Sequence, residues 1–187
     1  MSEQIETTPE QYAAMEPDKV LRVMQIIAGA LIAGVLSFGG VAGFIVFGQV
    51  PAVQPGGQPP AIAQRMPEFI TYPAMALAAG MVVMSFVGSN FVSAMWVKGI
   101  AKMAKDGTST GPKELFGRLL AAAQIKMIFA MAPIEGAAFF NLIAFIMTKS
   151  LIPPTVVGVL LFVMAIHFPT KFKLARWLED QQRAMSQ

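Results

Sequence analysis

Apolar residues along this chain come in long, almost uninterrupted runs. They do not alternate as in a half-buried strand, nor recur every third or fourth position as in a surface helix. Four runs stand out, over residues 23–47, 74–97, 127–148 and 151–168. An α-helix needs about 20 such residues to cross the hydrocarbon layer, with about 17 as the lower end. In lipid every backbone N–H and C=O must be satisfied within the span, so the runs are read as helices. The pattern predicts an all-α membrane protein, a bundle of four transmembrane helices.

The segments between the runs have their own character. Residues 1–18 carry Glu3, Glu6, Glu10, Glu16 and Asp18 and read as a disordered acidic tail. Residues 49–71 hold Pro51, Pro55, Gly56, Gly57, Pro59, Pro60 and Pro67, a loop that is expected to form neither helix nor central strand. Residues 19–169 make the membrane domain and 170–187 a cytoplasmic amphipathic tail. The first run is longer than the apolar stretch of a signal peptide, so it is expected to stay as a span.

Local signals refine the ends. Pro17 suits a first helical turn, so the first helix is expected to start ahead of its apolar run. Gly39 and Gly43 form a GxxxG pair, with Gly29, Gly34 and Gly40 adding small surface; close helix packing and ordinary membrane-helix composition both account for it. Ser85, Ser89 and Ser93 recur at i, i+4, i+8 and make one stripe on the second span, with Asn90 beside it and Trp96 at the interface. Pro112 opens an amphipathic lead-in to the third span through Leu115, Phe116, Leu119 and Leu120. Only Lys149 and Ser150 separate the third run from the fourth, which makes those spans antiparallel neighbours, with Pro153 and Pro154 in a first turn.

Composition supports this reading and charge orients it. Hydrophobic residues make up 55% of the 187 residues and charged residues 13%, against about 25% charged in a soluble domain. Eleven of the 14 Lys and Arg residues fall on one side of the spans: Lys19, Arg22, Lys98, Lys102, Lys105, Lys113, Arg118, Lys171, Lys173, Arg176 and Arg183. Arg65 and Lys149 fall on the other, and Lys126 snorkels to the first. Positive charge stays inside, so both termini are expected in the cytoplasm and the protein in the cell (inner) membrane. In the tail, Lys171, Lys173, Arg176 and Trp177 are expected to lie on anionic lipid, with packing on a partner protein as the other reading.

One residue stands out chemically. Glu135 is the only acidic residue inside any span. It lies about 4 Å to the cytoplasmic side of mid-span, and Ser89 about 5 Å to the same side on the second span, at 1.5 Å per residue. Ser85, Ser89 and Asn90 are therefore at a depth where they could hydrogen-bond a Glu135 carboxyl that is protonated at rest. Such a group can load and release a proton or hold sodium. It can equally be fixed and neutral, specifying how the spans pack, and Pro133, which frees the Phe129 carbonyl, suits that second role.

The stretch Ala132-Pro133-Ile134-Glu135-Gly136-Ala137-Ala138-Phe139-Phe140 resembles the carboxylate helix of the proteolipid (c) subunit of rotary ATP synthases. That resemblance implies that Glu135 is an ion-carrying carboxylate. It covers roughly ten residues, and the dense glycine repeat and the Arg-Gln/Asn-Pro loop of that family are missing. Glu-Gly-Ala-Ala-Phe-Phe-Asn-Leu-Ile-Ala from Glu135, with Phe168-Pro169-Thr170 further on, resembles a set of uncharacterised four-span bacterial membrane proteins more closely, and implies no function.

Other signals lead to structure rather than chemistry. With no cysteine and no metal-ligand cluster, neither metal nor cofactor is expected. His167, the only histidine, reads as interfacial. Gly107 to Lys113 has the wrong spacing for a phosphate loop and reads as a turn before a helix, while the Lys98, Lys102, Lys105 run reflects orientation and not nucleic-acid binding. Asn141 and Thr148 read as packing residues. No nucleophile–base pair is visible, so no enzyme is expected. The sequence predicts a small structural or accessory subunit of a membrane complex, as a homo-oligomer or with other subunits, with proton or sodium handling through Glu135 as the alternative.

Overall fold

The computed structural model describes residues 14–48, 61–108 and 111–185, with backbone only at 61–68 and 185. The acidic tail up to residue 13 and the loop over 49–60 lie outside the described residues. Among the described residues there are five helices and no strand: α1 (Pro17–Gly48), α2 (Ala61–Lys105), α3 (Pro112–Thr148), α4 (Ile152–His167) and α5 (Lys171–Met185). Three are long and apolar enough to cross a membrane, namely α1, α2 from Phe69 onward, and α3; the number is up to four if α4 and α5 are taken together.

Capping chemistry sets the helix ends. Pro17 opens α1, and the Val20 amide closes the first turn on the Glu16 carbonyl at 3.0 Å. At the end of α2, Gly107 is left-handed (φ 66°) and the Thr108 amide returns to the Met103 carbonyl at 3.2 Å. That is the helix stop which glycine permits. Pro112 then begins α3, so the glycine-rich segment is a turn before a helix, with residues 109–110 outside the described set.

α3 ends where Lys149 takes φ 53°, unusual for a residue with a Cβ. Its amide bonds the Phe145 carbonyl at 2.8 Å, the Thr148 hydroxyl accepts the Ser150 amide, and the Ser150 hydroxyl accepts the Ile152 amide. Between α4 and α5, the Thr170 hydroxyl accepts the Lys173 amide at 3.3 Å, an N-cap for α5.

α2 differs from expectation. It begins at Ala61, so residues 61–71 are helical where a loop was expected. The dense Pro and Gly cluster ends at Pro60. Beyond it, Ala61 to Met66 are mostly good helix formers, and Pro67 and Pro73, six residues apart within the helix, each remove one ladder bond.

Two compact units divide the chain. In the first (Met1–Ala28, Val87–Phe129, Phe168–Gln187), Leu21, Ile100, Leu119, Leu120, Ala122, Ala123, Leu174 and Leu178 form a buried cluster. Leu174 and Leu178 bring the apolar stripe of α5 onto it. The Gln25 amide donates to the Pro169 carbonyl at 3.3 Å, and Lys171 pairs with Asp18 at 3.5 Å on the surface.

In the second unit (Gly29–Phe86, Ala130–His167), α3 supplies most of the core through Met131, Ile134, Ala138, Leu142 and Phe145. Phe38 meets Phe139 edge-on at 5.4 Å between ring centroids, and Phe47 meets Phe145 at 5.9 Å. Gly34 and Gly39 on α1 face α3 side chains. A Cβ on Gly43 would meet nothing within 4 Å, so the GxxxG pair does not hold two backbones together within this chain.

Candidate functional site: the mid-span carboxylate

Glu135 owes its position to the helix that carries it. Ile134, Ala137, Ala138 and Asn141 point into the core of the second unit and are essentially buried. Glu135 flanks that face and is half-buried. Its Oε1 lies 3.5 Å from where a Cβ on Gly34 would stand, and Phe139, one turn on, lies 3.7 Å from the same point. Glu135 and Phe139 therefore flank Gly34 at distances where a Cβ would just touch both and a larger side chain would not fit without a shift. The carboxyl rests over the backbone of α1.

The predicted oxygen partners divide. Ser85 belongs to the same unit and is fully buried, but its hydroxyl donates to the Val82 carbonyl of its own helix at 3.0 Å. Ser89 and Ser93 are buried and Asn90 is exposed; all three belong to the first unit. Among the predicted site residues of the second unit, the structure thus sets Glu135 against a glycine rather than a serine. Gly34 went unrecognised as a site residue. The available signal was its depth, about 1.5 Å from the middle of the first apolar run at 1.5 Å per residue.

Within the second unit, Asn141 makes a polar contact that joins two helices. It is fully buried, and its Nδ2 donates to the Ala74 carbonyl of α2 at 3.1 Å and to the Ala137 carbonyl of α3 at 2.9 Å. Asn141 Oδ1 and the Thr71 hydroxyl are buried without a hydrogen-bond partner. His167 Nδ1 is 2.9 Å from the Val163 carbonyl, an acceptor, so Nδ1 carries the proton. The His167 ring packs on Phe86 with centroids 4.6 Å apart.

In the basic tail, Lys171 and Arg176 are exposed, and Lys173 Nζ donates to the Phe168 carbonyl at 3.1 Å. Trp177 is half-buried against the cluster of the first unit, with Lys126 Nζ 5.9 Å from its ring centroid. The apolar face of α5, which the sequence assigned to lipid, is thus covered by the protein's own core. Its basic side chains and Phe172, 74% exposed, remain on the outside.

No family model matches the chain, and no curated protein or solved structure shows similarity to it.

Proposed function

We propose that the protein is a four-span integral membrane protein, both ends cytoplasmic, that serves as a small structural or accessory subunit of a membrane complex. The observation that carries this reading is unequal coverage of the apolar helices. Half of the most apolar stretch of α3 is buried, against 22% for α2 and 11% for α1. A helix so little covered by its own chain presents its flank to lipid or to neighbouring helices. On α1 the open flank runs through Ala30, Ala33, Ser37 and Gly40, all exposed. Small residues at that spacing let a second helix approach closely, which is how helices associate when lipid removes the hydrophobic drive.

The test is partner association. Ala33→Leu and Gly40→Leu fill the open flank without touching the core. Each is expected to leave the thermal melt unchanged and to abolish a cross-linked homo-oligomer or a co-purifying subunit. A wild-type chain that runs as a monodisperse monomer with no partner would refute this reading.

Ion handling stands as the second reading, supported by the half-buried Glu135 carboxyl beside Gly34. Glu135→Gln keeps the shape and removes the charge. Assembly without proton or sodium flux would favour ion handling; unchanged flux with altered assembly would favour the structural role.

A further inference from the structure

We infer that Lys126 is the centre of a cytoplasmic-side site for the headgroup of an anionic phospholipid. The inference rests on the membrane reading above. Lys126 is half-buried on α3, immediately before the apolar run 127–148, and so stands at the depth of the lipid phosphates. Among the described residues it has no ion pair. Of the described acids of the first unit, Glu16 pairs with Lys19, Asp18 with Lys171, Glu114 with Arg118 and Glu179 with Arg183, and neither Asp106 nor Asp180 forms an ion pair with Lys126.

The recorded partner of Lys126 is the face of the Trp177 indole, 5.9 Å away. That contact orients the ammonium but leaves its three donors and its charge uncompensated. A half-buried cation without a carboxylate calls for a counter-charge from outside the chain. Trp177 is of the residue type enriched where headgroups meet water. Lys173 lies one turn before Trp177 on α5 and adds positive charge on that side. A phosphodiester monoanion matches this set: its oxygens accept from Lys126, and its glycerol and acyl portion continues along the exposed apolar surface that begins at Ile128 and Phe129. A free cytoplasmic phosphate would share the chemistry but leave that apolar surface without a role.

The experiment uses the full chain purified in detergent, with equimolar phosphatidylglycerol and phosphatidylcholine, and counts bound lipid by native mass spectrometry. Phosphatidylglycerol is expected to exceed phosphatidylcholine by about fivefold or more, the worth of at least one basic group at an anionic surface. Lys126→Gln is expected to bring the two lipids to parity. Lys126→Arg, and Lys105→Gln at the exposed end of α2, are expected to keep the preference. Equal binding of the two lipids by wild type, or an unchanged preference in Lys126→Gln, overturns the proposal, and the wild-type comparison holds even where a variant does not fold. Displacement of the lipid by millimolar inorganic phosphate would overturn the lipid assignment in favour of a free anion. Membrane residence is tested separately, by resistance to carbonate extraction, so loss of lipid selectivity leaves that reading standing.

Discussion

Replacing Asn141 by Leu and by Asp separates packing from hydrogen bonding at a side chain that bridges α2 and α3. Only the amide NH2 can serve two acceptors, and both of its neighbours, Ala74 O and Ala137 O, are acceptors. Leu keeps the volume and removes both bonds. It also removes the orphaned Oδ1, which has no partner in its buried position. Interhelical side-chain bonds in membranes are worth about 0.6 kcal/mol on average and about 1.7 at most, so Asn141→Leu is expected to cost about 1 kcal/mol or less. Asn141→Asp turns a donor into an acceptor facing two carbonyls, at a site with no described cation against it. An acidic group near mid-span adds about 2.5–3.5 kcal/mol, so this variant is expected to fall at least about 2 kcal/mol below Asn141→Leu. The assay is a denaturant titration in bicelles read by the fluorescence of Trp96 and Trp177, the chain's 2 tryptophans. An Asp variant as stable as the Leu variant would refute the donor role and with it the assigned orientation of the amide.

Two further perturbations probe other parts of the fold. Leu178, 7% exposed in the cluster of the first unit, holds α5 in place; Leu178→Ala is expected to cost about 2 kcal/mol, the low end for Leu→Ala at a site on the cluster's rim. Faster tryptic cleavage at Arg176 and Arg183 would report it, and unchanged cleavage would place the anchoring of α5 elsewhere. Lys149→Pro cannot adopt φ 53° and loses the amide bond to Phe145 O, so a loss of about 3 kcal/mol or more in the same titration is expected. Lys149→Gly relieves the left-handed conformation and is expected to leave the melting temperature unchanged or higher.

What the sequence could and could not disclose follows from the solvent that its composition implies. Helices of lipid-spanning length announce themselves because no soluble core absorbs such runs, and Pro17 and Pro112 mark starts that the structure places at those residues. The start of α2 was illegible because Pro67 looked like the continuation of the proline cluster before it. The docking of α5 was illegible for another reason. A helix carrying Leu174 and Leu178 on one side and Lys171, Lys173 and Arg176 on the other is equally suited to a lipid surface and to an apolar patch of its own chain. Only the position of Leu21, Ile100 and Leu119 decides between them.

The same solvent argument explains why polar residues carried more information than apolar ones. On α1 the buried Leu21, Ala28, Val35 and Ala42 are no more hydrophobic than the exposed Ile26, Leu36, Val41 and Phe44. Hydrophobic periodicity, which separates inside from outside in water, is silent where the outside is also apolar. A polar group off the water-facing ends is different, because it gains from being turned inward. Thr71, Ser85, Ser89, Ser93 and Asn141 are all buried and mark inner faces of α2 and α3, while Asn90 on α2 and Ser37 on α1 stay exposed. Glu135 follows that rule only half-way. Its carboxyl lies at the flank of α3 beside Gly34, neither immersed in the core nor fully open. A larger residue at position 34 would press on that carboxyl. Gly34→Val is therefore the substitution that would show whether Gly34 makes room for the carboxylate: its harm should lessen when Glu135 is shortened to Ala in the same chain, and strictly additive costs in the denaturant titration would mean that the two residues are merely neighbours.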